Sequence, residues 1–421
     1  MNRVLVISNN PFSKTDSNGR TLGNFFLGWD KTCLAQFYIR NAKPDFEYCE
    51  NFFRVTDAEA LRAFKKGKCA GGIVLPSTNT KEAEATVSKP QKAKRTALTM
   101  LARDLVWRTG RWQSCGFWDW VKEFSPNIVL LQAGDCPFMY RLAVKVAKKQ
   151  KAKLVIYNSE GYYFKKFDYF RAHGIAHLLY PLFRQSLKRA LKKAYRRASH
   201  IVYLCDELKR SYDQKFSAPS TTVYTASDIL ARKAAPQNEV FTTAYCGNLG
   251  LERHLRLIEI AEALREISPE LSLDVYGPTA DEKVLADLAA SPAVRYHGRV
   301  SYEEVLKVLA QSDLILHTEN FDPFYREDLK FAFSTKIADS LSSGTCFLLY
   351  APENLACTKY LSEHEAAYVV TKKEDLPATL SLLVRDATAR EKYISRALAL
   401  AEKNHRAEKN KETFQSILRN L

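Results

Sequence analysis

Short, almost unbroken apolar runs recur along the chain with helical patterns between them, and they come in two series. The first series is 3–8, 33–39, 127–132, 153–157 and 201–205. Runs this short, rich in Val, Ile and Leu and without polar alternation, suit strands buried on both faces. A sheet is covered on both faces when crossover helices pack against parallel strands. Periodicity fades over 225–242, and then a second series begins at 243–247, 272–276, 294–297, 313–318, 346–350 and 367–370. The spacing predicts an α/β protein with two doubly wound parallel-sheet domains in series. Expected boundaries are a first domain over 1–225, a linker over 226–241, a second domain over 242–385 and a terminal segment over 386–421. That last stretch is rich in Ala, Glu, Lys and Leu and reads as helix. Two capping boxes, Thr56 with Glu59 and Ser301 with Glu304, mark helix starts.

With 421 residues, 46% of them hydrophobic, the chain can fill two full cores without disulfides. Its nine cysteines are odd in number, scattered and free of C-x-x-C pairs, which excludes a zinc or redox motif and suits a reducing cytoplasm. No signal peptide and no apolar stretch of about 18 residues is visible. The net charge of +16 is concentrated in two places. Over 89–111, seven basic residues stand against one acid, Asp104, for +6; over 165–198, ten stand against Asp168, for +9. The remainder is near neutral, so this is a neutral protein carrying two basic segments.

Ligands of open parallel sheets bind at the carboxyl ends of strands, where helix N-termini offer N–H groups to anions. Three places qualify. The first is Asn18-Gly19-Arg20-Thr21, ahead of a helical pattern; an ordinary turn would also explain its glycine. The second is Tyr245-Cys246-Gly247-Asn248-Leu249-Gly250-Leu251-Glu252-Arg253, a strand entering a G-x-x-G turn and a helix, with a guanidinium suited to a diphosphate. The third follows the strand at 313–318. Glu319 ends that strand, Ser334-Thr335-Lys336 opens a helix through Asp339, and Gly344 closes it. A carboxylate at the strand end can hold sugar hydroxyls, and Ser-Thr-Lys at a helix start can bind phosphate. The absence of G-x-G-x-x-G argues against a nicotinamide dehydrogenase.

The set formed by 245–253, Asp274-Val275-Tyr276-Gly277, Tyr296-His297-Gly298-Arg299-Val300 and 313–344 resembles the donor domain of GT-B glycosyltransferases, family 4. The resemblance covers 242–375 and, more weakly, the N-terminal half. It implies two Rossmann-like domains facing a cleft, with a C-terminal helix. The family's Glu-x7-Glu signature is present literally as Glu319 and Glu327. In the family, however, the second Glu lies five residues before a turn glycine, and here Asp339 stands five before Gly344. We therefore place an insertion over 323–333 and carry the second role to Asp339.

On this resemblance, Glu319 faces the donor sugar's hydroxyls, with the N–H groups of Asn320 and Phe321. Gly19, Gly247, Asn248, Ser334, Thr335 and Asp339 complete the donor contacts, and the backbone at Arg299 and Val300 meets the nucleobase. Arg253 and Lys336 neutralise the leaving diphosphate, with Lys336 standing in for a cation the family carries in its first basic motif. The implied enzyme is a retaining hexosyltransferase that uses a nucleoside diphosphate sugar as co-substrate and needs neither metal nor other cofactor. Its implied role is cell-surface polysaccharide or glycolipid synthesis.

The acceptor side lacks the His common in relatives. Asp135 and Glu160, each after a strand, are the candidate base or hydroxyl contacts; helix capping is the alternative. Over 175–195 apolar residues recur at helical spacing beside cations, which suits an anionic membrane surface or a domain helix with a solvated charged face. Nothing accompanying the charge points to nucleic acid. The expected partners are thus the nucleotide-sugar donor, a glycan or lipid-linked acceptor and an anionic membrane. The expected location is cytoplasmic, peripheral at the inner face of the plasma membrane. Alternatives on the same fold are a nucleotide-sugar epimerase and a non-catalytic glycan- or partner-binding relative.

Overall fold

Strand β1 (Val4–Ser8) is buried at every position, as a strand covered by helices on both faces must be. The computed structural model describes residues 1–14, 17–67, 70–76, 95–114, 116–232, 236 and 238–421. The part of the first basic segment over 89–94, and positions 233–235 and 237 of the expected linker, lie outside the described residues.

The first sheet contains β1, β2 (Leu34–Tyr38), β3 (Asn51–Arg54), β4 (Gly72–Val74), β5 (Ile128–Gln132), β6 (Lys153–Asn158), β7 (His200–Tyr203) and β8 (Ser220–Thr222). Its order is β4-β3-β2-β1-β5-β6-β7-β8, parallel throughout except for the antiparallel edge pair β3 and β4. Strands β3, β4 and β8 have no counterpart among the sequence-expected runs.

The second sheet contains β9 (Thr243–Cys246), β10 (Leu273–Tyr276), β11 (Val294–Gly298), β12 (Leu314–Thr318), β13 (Cys346–Tyr350) and β14 (Tyr368–Val370). It is wholly parallel with order β11-β10-β9-β12-β13-β14. Counted from β9, this is the doubly wound order 3-2-1-4-5-6, whose direction reverses between β9 and β12. In the first sheet the equivalent reversal lies between β1 and β5.

Two compact units result, Met1–Val223 with Lys411–Leu421, and Tyr224–Asn410. The terminal stretch expected as one segment over 386–421 is divided between them. The helix Ala387–Asn404 belongs to the second unit, whereas most of Ala407–Arg419 returns to the first. There Phe414 and Leu418 are fully buried, and Phe414 stacks on Phe25 with centroids 4.3 Å apart. The stretch expected as a linker also joins the second unit. Ser227 N–H donates to the His405 carbonyl (2.9 Å), and Arg232 N–H to the Ser343 carbonyl (3.0 Å). Among the described residues no helix is long and apolar enough to cross a membrane.

Candidate functional site

At the reversal of the second sheet, the loops after β9 and β12 emerge side by side. The turn after β9 is fixed by close backbone approach. A Cβ on Gly277 would lie 1.7 Å from the Gly247 carbonyl oxygen, and one on Gly247 would lie 2.4 Å from the Tyr245 hydroxyl, so neither site accepts a larger residue without displacement. The Asn248 Oδ1 accepts from Gly250 N–H (2.6 Å), and Tyr245 Oη donates to the Asn248 carbonyl (2.8 Å). Leu251 and Glu252 then take left-handed conformations, φ 63° and 59°, which non-glycine residues adopt at a cost of about 1 kcal/mol or more each. The loop after β12 holds them there: Asn320 Nδ2 donates to the Leu251 carbonyl and to Glu252 Oε2, both at 3.1 Å. The result places Arg253 as the first residue of the helix Arg253–Ile267.

Arg253 reaches Glu319 with two donors, Nε to Oε2 and Nη2 to Oε1, each 2.9 Å. This fork-to-carboxylate geometry is the strong form of the pair. His317, two residues earlier on β12 and therefore on the same face, places Nε2 3.2 Å from Glu319 Oε1. All three are nearly enclosed, with the Arg253 side chain 13% exposed. Burial alone would raise the Glu319 carboxyl, but the His317 hydrogen bond and the Arg253 charge outweigh it and hold the group below its ordinary value. Burial lowers the His317 imidazole despite Glu319, so it is neutral near pH 7.

Lys336 stands in the first turn of the helix Thr335–Ser342, which Ser334 caps by accepting from Lys336 N–H (3.4 Å). Burial and the Arg253 charge lower the Lys336 ammonium, opposed by Glu319 and Asp339. Asp339, one turn further along the same helix, accepts from Ser227 Oγ at 2.6 Å. Thr335 is exposed. Phe321 packs against Tyr350 with ring centroids 4.8 Å apart, and Asn320 is buried. Arg299, exposed, and Val300, half-buried, follow β11. Glu327 lies exposed on the short helix Pro323–Asp328, within the stretch expected as an insertion, and Lys336 and Asp339 are on the separate helix Thr335–Ser342. His254, next to Arg253, turns inward to Asp287 (3.1 Å).

The remaining candidates belong to the first unit. Gly19 lies within the helix Ser17–Asn24, where a Cβ would stand 2.4 Å from the Pro11 carbonyl oxygen, so close packing accounts for the glycine. Asp135 follows β5 and is buried. It pairs with Arg95 and accepts from Tyr169 Oη (3.3 Å). It does not cap the helix Pro137–Gln150, whose cap residue is Cys136. Glu160 donates its N–H to Asn158 Oδ1 (3.2 Å), while its carbonyl accepts from Tyr212 Oη (3.2 Å). Sequence reasoning did not single out Arg95 as the partner of Asp135, or His317 as the partner of Glu319. The period-two spacing of 317 and 319 was the signal available for the latter.

Residues 253–416 match a family model described as glycosyl transferase-like. No curated protein matches the chain by sequence. Several solved structures share the fold. Anabaena HepE in complex with UDP is 11% identical, with both chains covered in full and a TM-score of 0.64. The lipopolysaccharide outer core galactosyltransferase WaaB is 14% identical over 99% of this chain and 100% of its own, with a TM-score of 0.61. Sucrose-phosphate synthase from Thermosynechococcus elongatus is 9% identical over 99% and 98%, with a TM-score of 0.64. The fold is thus that of the GT-B glycosyltransferases, and the chain carries a glycosyl transferase-like domain.

Proposed function

We propose that this chain is a retaining glycosyltransferase that moves a hexosyl group from a nucleoside diphosphate sugar to a lipid-linked or growing glycan acceptor without a metal ion. The observation that carries the reading is the buried carboxylate of Glu319 at the sheet reversal, gripped by Arg253 and His317 beside Lys336. The Anabaena HepE structure holds UDP, which makes a uridine nucleotide the first donor to try.

In this reading the donor changes the partners of Arg253. A diphosphate offers the guanidinium a second anion and draws it from Glu319, whose oxygens become free to accept from sugar hydroxyls while His317 keeps the carboxylate in place. As the bond from the anomeric carbon to the phosphate oxygen breaks, its electron pair remains on that oxygen. Arg253, Lys336 and the N–H groups opening the helix at Thr335 stabilise the charge where it develops. The acceptor oxygen bonds the anomeric carbon on the same face, and its proton passes to the departing phosphate oxygen.

The test is nucleotide release from a panel of nucleoside diphosphate sugars, with and without glycan acceptors. Glu319→Ala and Lys336→Ala should each lower turnover by about 10² to 10³. Unchanged turnover in both would sink the assignment of these residues. Conversion of the donor sugar without nucleotide release or any acceptor would identify an epimerase instead.

A further inference from the structure

The cationic stretch 165–198 is a corner of the fold made of a loop, the short helix Ile175–Leu178 and the helix Tyr180–Tyr195, not one uniform amphipathic rod. Its apolar stripe divides in two. Tyr180, Phe183, Leu187, Leu191 and Tyr195 are buried in the first unit, whereas Ile175 is 72% exposed, Leu178 74% and Leu182 56%. The domain-helix alternative therefore accounts for most of the helix Tyr180–Tyr195, and it leaves these three unexplained. Three bulky aliphatic side chains left in water within eight residues form the kind of surface that marks an interaction site. The helix Ala97–Arg108 lies alongside and adds exposed Leu98 and Leu105. It is fastened there through Asp104, which accepts from Arg141 Nη1 (2.6 Å) and from Ser186 Oγ (3.3 Å), one turn beyond Leu182.

The position of this corner follows from topology. The helix Tyr180–Tyr195 connects the end of β6 to the start of β7, so its first turn stands at the carboxyl edge of the sheet. That edge also carries Asp135 and Glu160, and the connecting loop touches Asp135 through Tyr169. The one acid of the stretch, Asp168, is sealed inside: it accepts from Phe170 N–H (3.0 Å) and meets His177 Nδ1 (3.1 Å). Lys166 is exposed in the preceding loop, and Arg189 and Lys193 are exposed two and three turns beyond Leu182 on the same face of the helix.

We infer that this corner is a membrane-docking face, with Ile175, Leu178 and Leu182 entering the interfacial layer of an anionic bilayer while Lys166, Arg189 and Lys193 meet headgroup phosphates. The apolar tip alone would suit many partners. The ten cations set against one buried acid favour a surface that is both negatively charged and open to aliphatic side chains, and an anionic bilayer is both. A nucleic acid would use the cations and leave the three aliphatic residues in water. The inference deepens the lipid-linked acceptor part of the reading above. Its test uses no turnover, so the two fail separately.

The experiment is flotation of the full chain with vesicles of phosphatidylglycerol and phosphatidylcholine, against phosphatidylcholine alone. The wild type should favour the anionic vesicles by about tenfold or more, and the combined variant Ile175→Ser, Leu178→Ser, Leu182→Ser should lose about tenfold on them. The variant Lys166→Gln, Arg189→Gln, Lys193→Gln should lose the preference for anionic lipid. All six side chains are exposed, so thermal unfolding of both variants should match wild type. Equal partition onto neutral vesicles, wild-type flotation of the apolar variant, or displacement of bound protein by duplex RNA would overturn the inference. So would a solution dimer that the apolar variant abolishes, since a second copy would then be the occupant.

Discussion

Each unit places a buried carboxylate at the reversal of its sheet and pairs it with an arginine, yet the two pairs are built differently. Glu319 follows β12 and meets Arg253, which the helix after β9 supplies; Asp135 follows β5 and meets Arg95, just ahead of the helix Ala97–Arg108. Arg253 is almost enclosed, while the Arg95 side chain is 60% exposed. The second unit thus keeps a desolvated pair that only a competing anion would open. The first keeps a carboxylate whose partner reaches water and can be exchanged at little cost. In the proposed reading, such a division would give a fixed donor site and an adaptable acceptor site.

The largest effect that would break this contrast is in the second unit. Arg253→Ala strands Glu319 and should destabilise that unit by about 3 to 5 kcal/mol. Hydrogen exchange across β12 and the helix Thr335–Ser342 reads it, and a loss below about 1 kcal/mol would mean that Lys336 takes over the carboxylate.

Acid should come next. His405, fully buried in the second unit between the Thr225 carbonyl (2.7 Å) and Tyr360 Oη (2.9 Å), is pushed down by burial to about 4. A lowered imidazole makes the unfolded state bind the extra proton. Stability is therefore full above the unfolded value of about 6.5 and falls as pH drops towards 4, by up to about 3 kcal/mol. Burial also lowers His317, and Glu319 is held low, so both add in the same direction. His405→Gln should start less stable at pH 7.5 and flatten the dependence; an undiminished slope would assign the acid response elsewhere.

The smallest effect is in the first unit, where Arg95→Ala should cost less than about 1 kcal/mol, because Arg95 reaches water and buried Asp135 keeps the Tyr169 Oη donor. Tryptophan emission isolates that measurement, since Trp29, Trp107, Trp112, Trp118 and Trp120 all lie in the first unit. A cost like that of Arg253→Ala would erase the contrast.

How much of this was legible depends on how local the signal is. The central strands are buried at all five positions and open on unbroken apolar runs, so 4–8, 314–318 and 346–350 declare themselves. Edge strands β4 and β8 are three residues long, and Ser-Thr-Thr of β8 carries no apolar run. Around Glu319 the two ways of counting part: forward spacing reaches Glu327, exposed on the helix Pro323–Asp328, and counting back from Gly344 reaches Asp339, on the helix with Lys336. The pairing of Arg95 with Asp135 spans forty residues and no periodicity announces it. Likewise, helical composition identifies 386–421 as helix and cannot say which core its Phe414 enters.

That last placement has a consequence for biosynthesis. Phe414 and Leu418 fill the first unit's core, but a ribosome makes them only after the whole of 224–410. At about 5 to 20 residues per second, the gap is roughly 10 to 40 s. During it the nascent first unit holds its seat against Phe25 and Phe26 open. The second unit is the one whose own residues are all present by position 410, so the half translated second is the first that can finish folding.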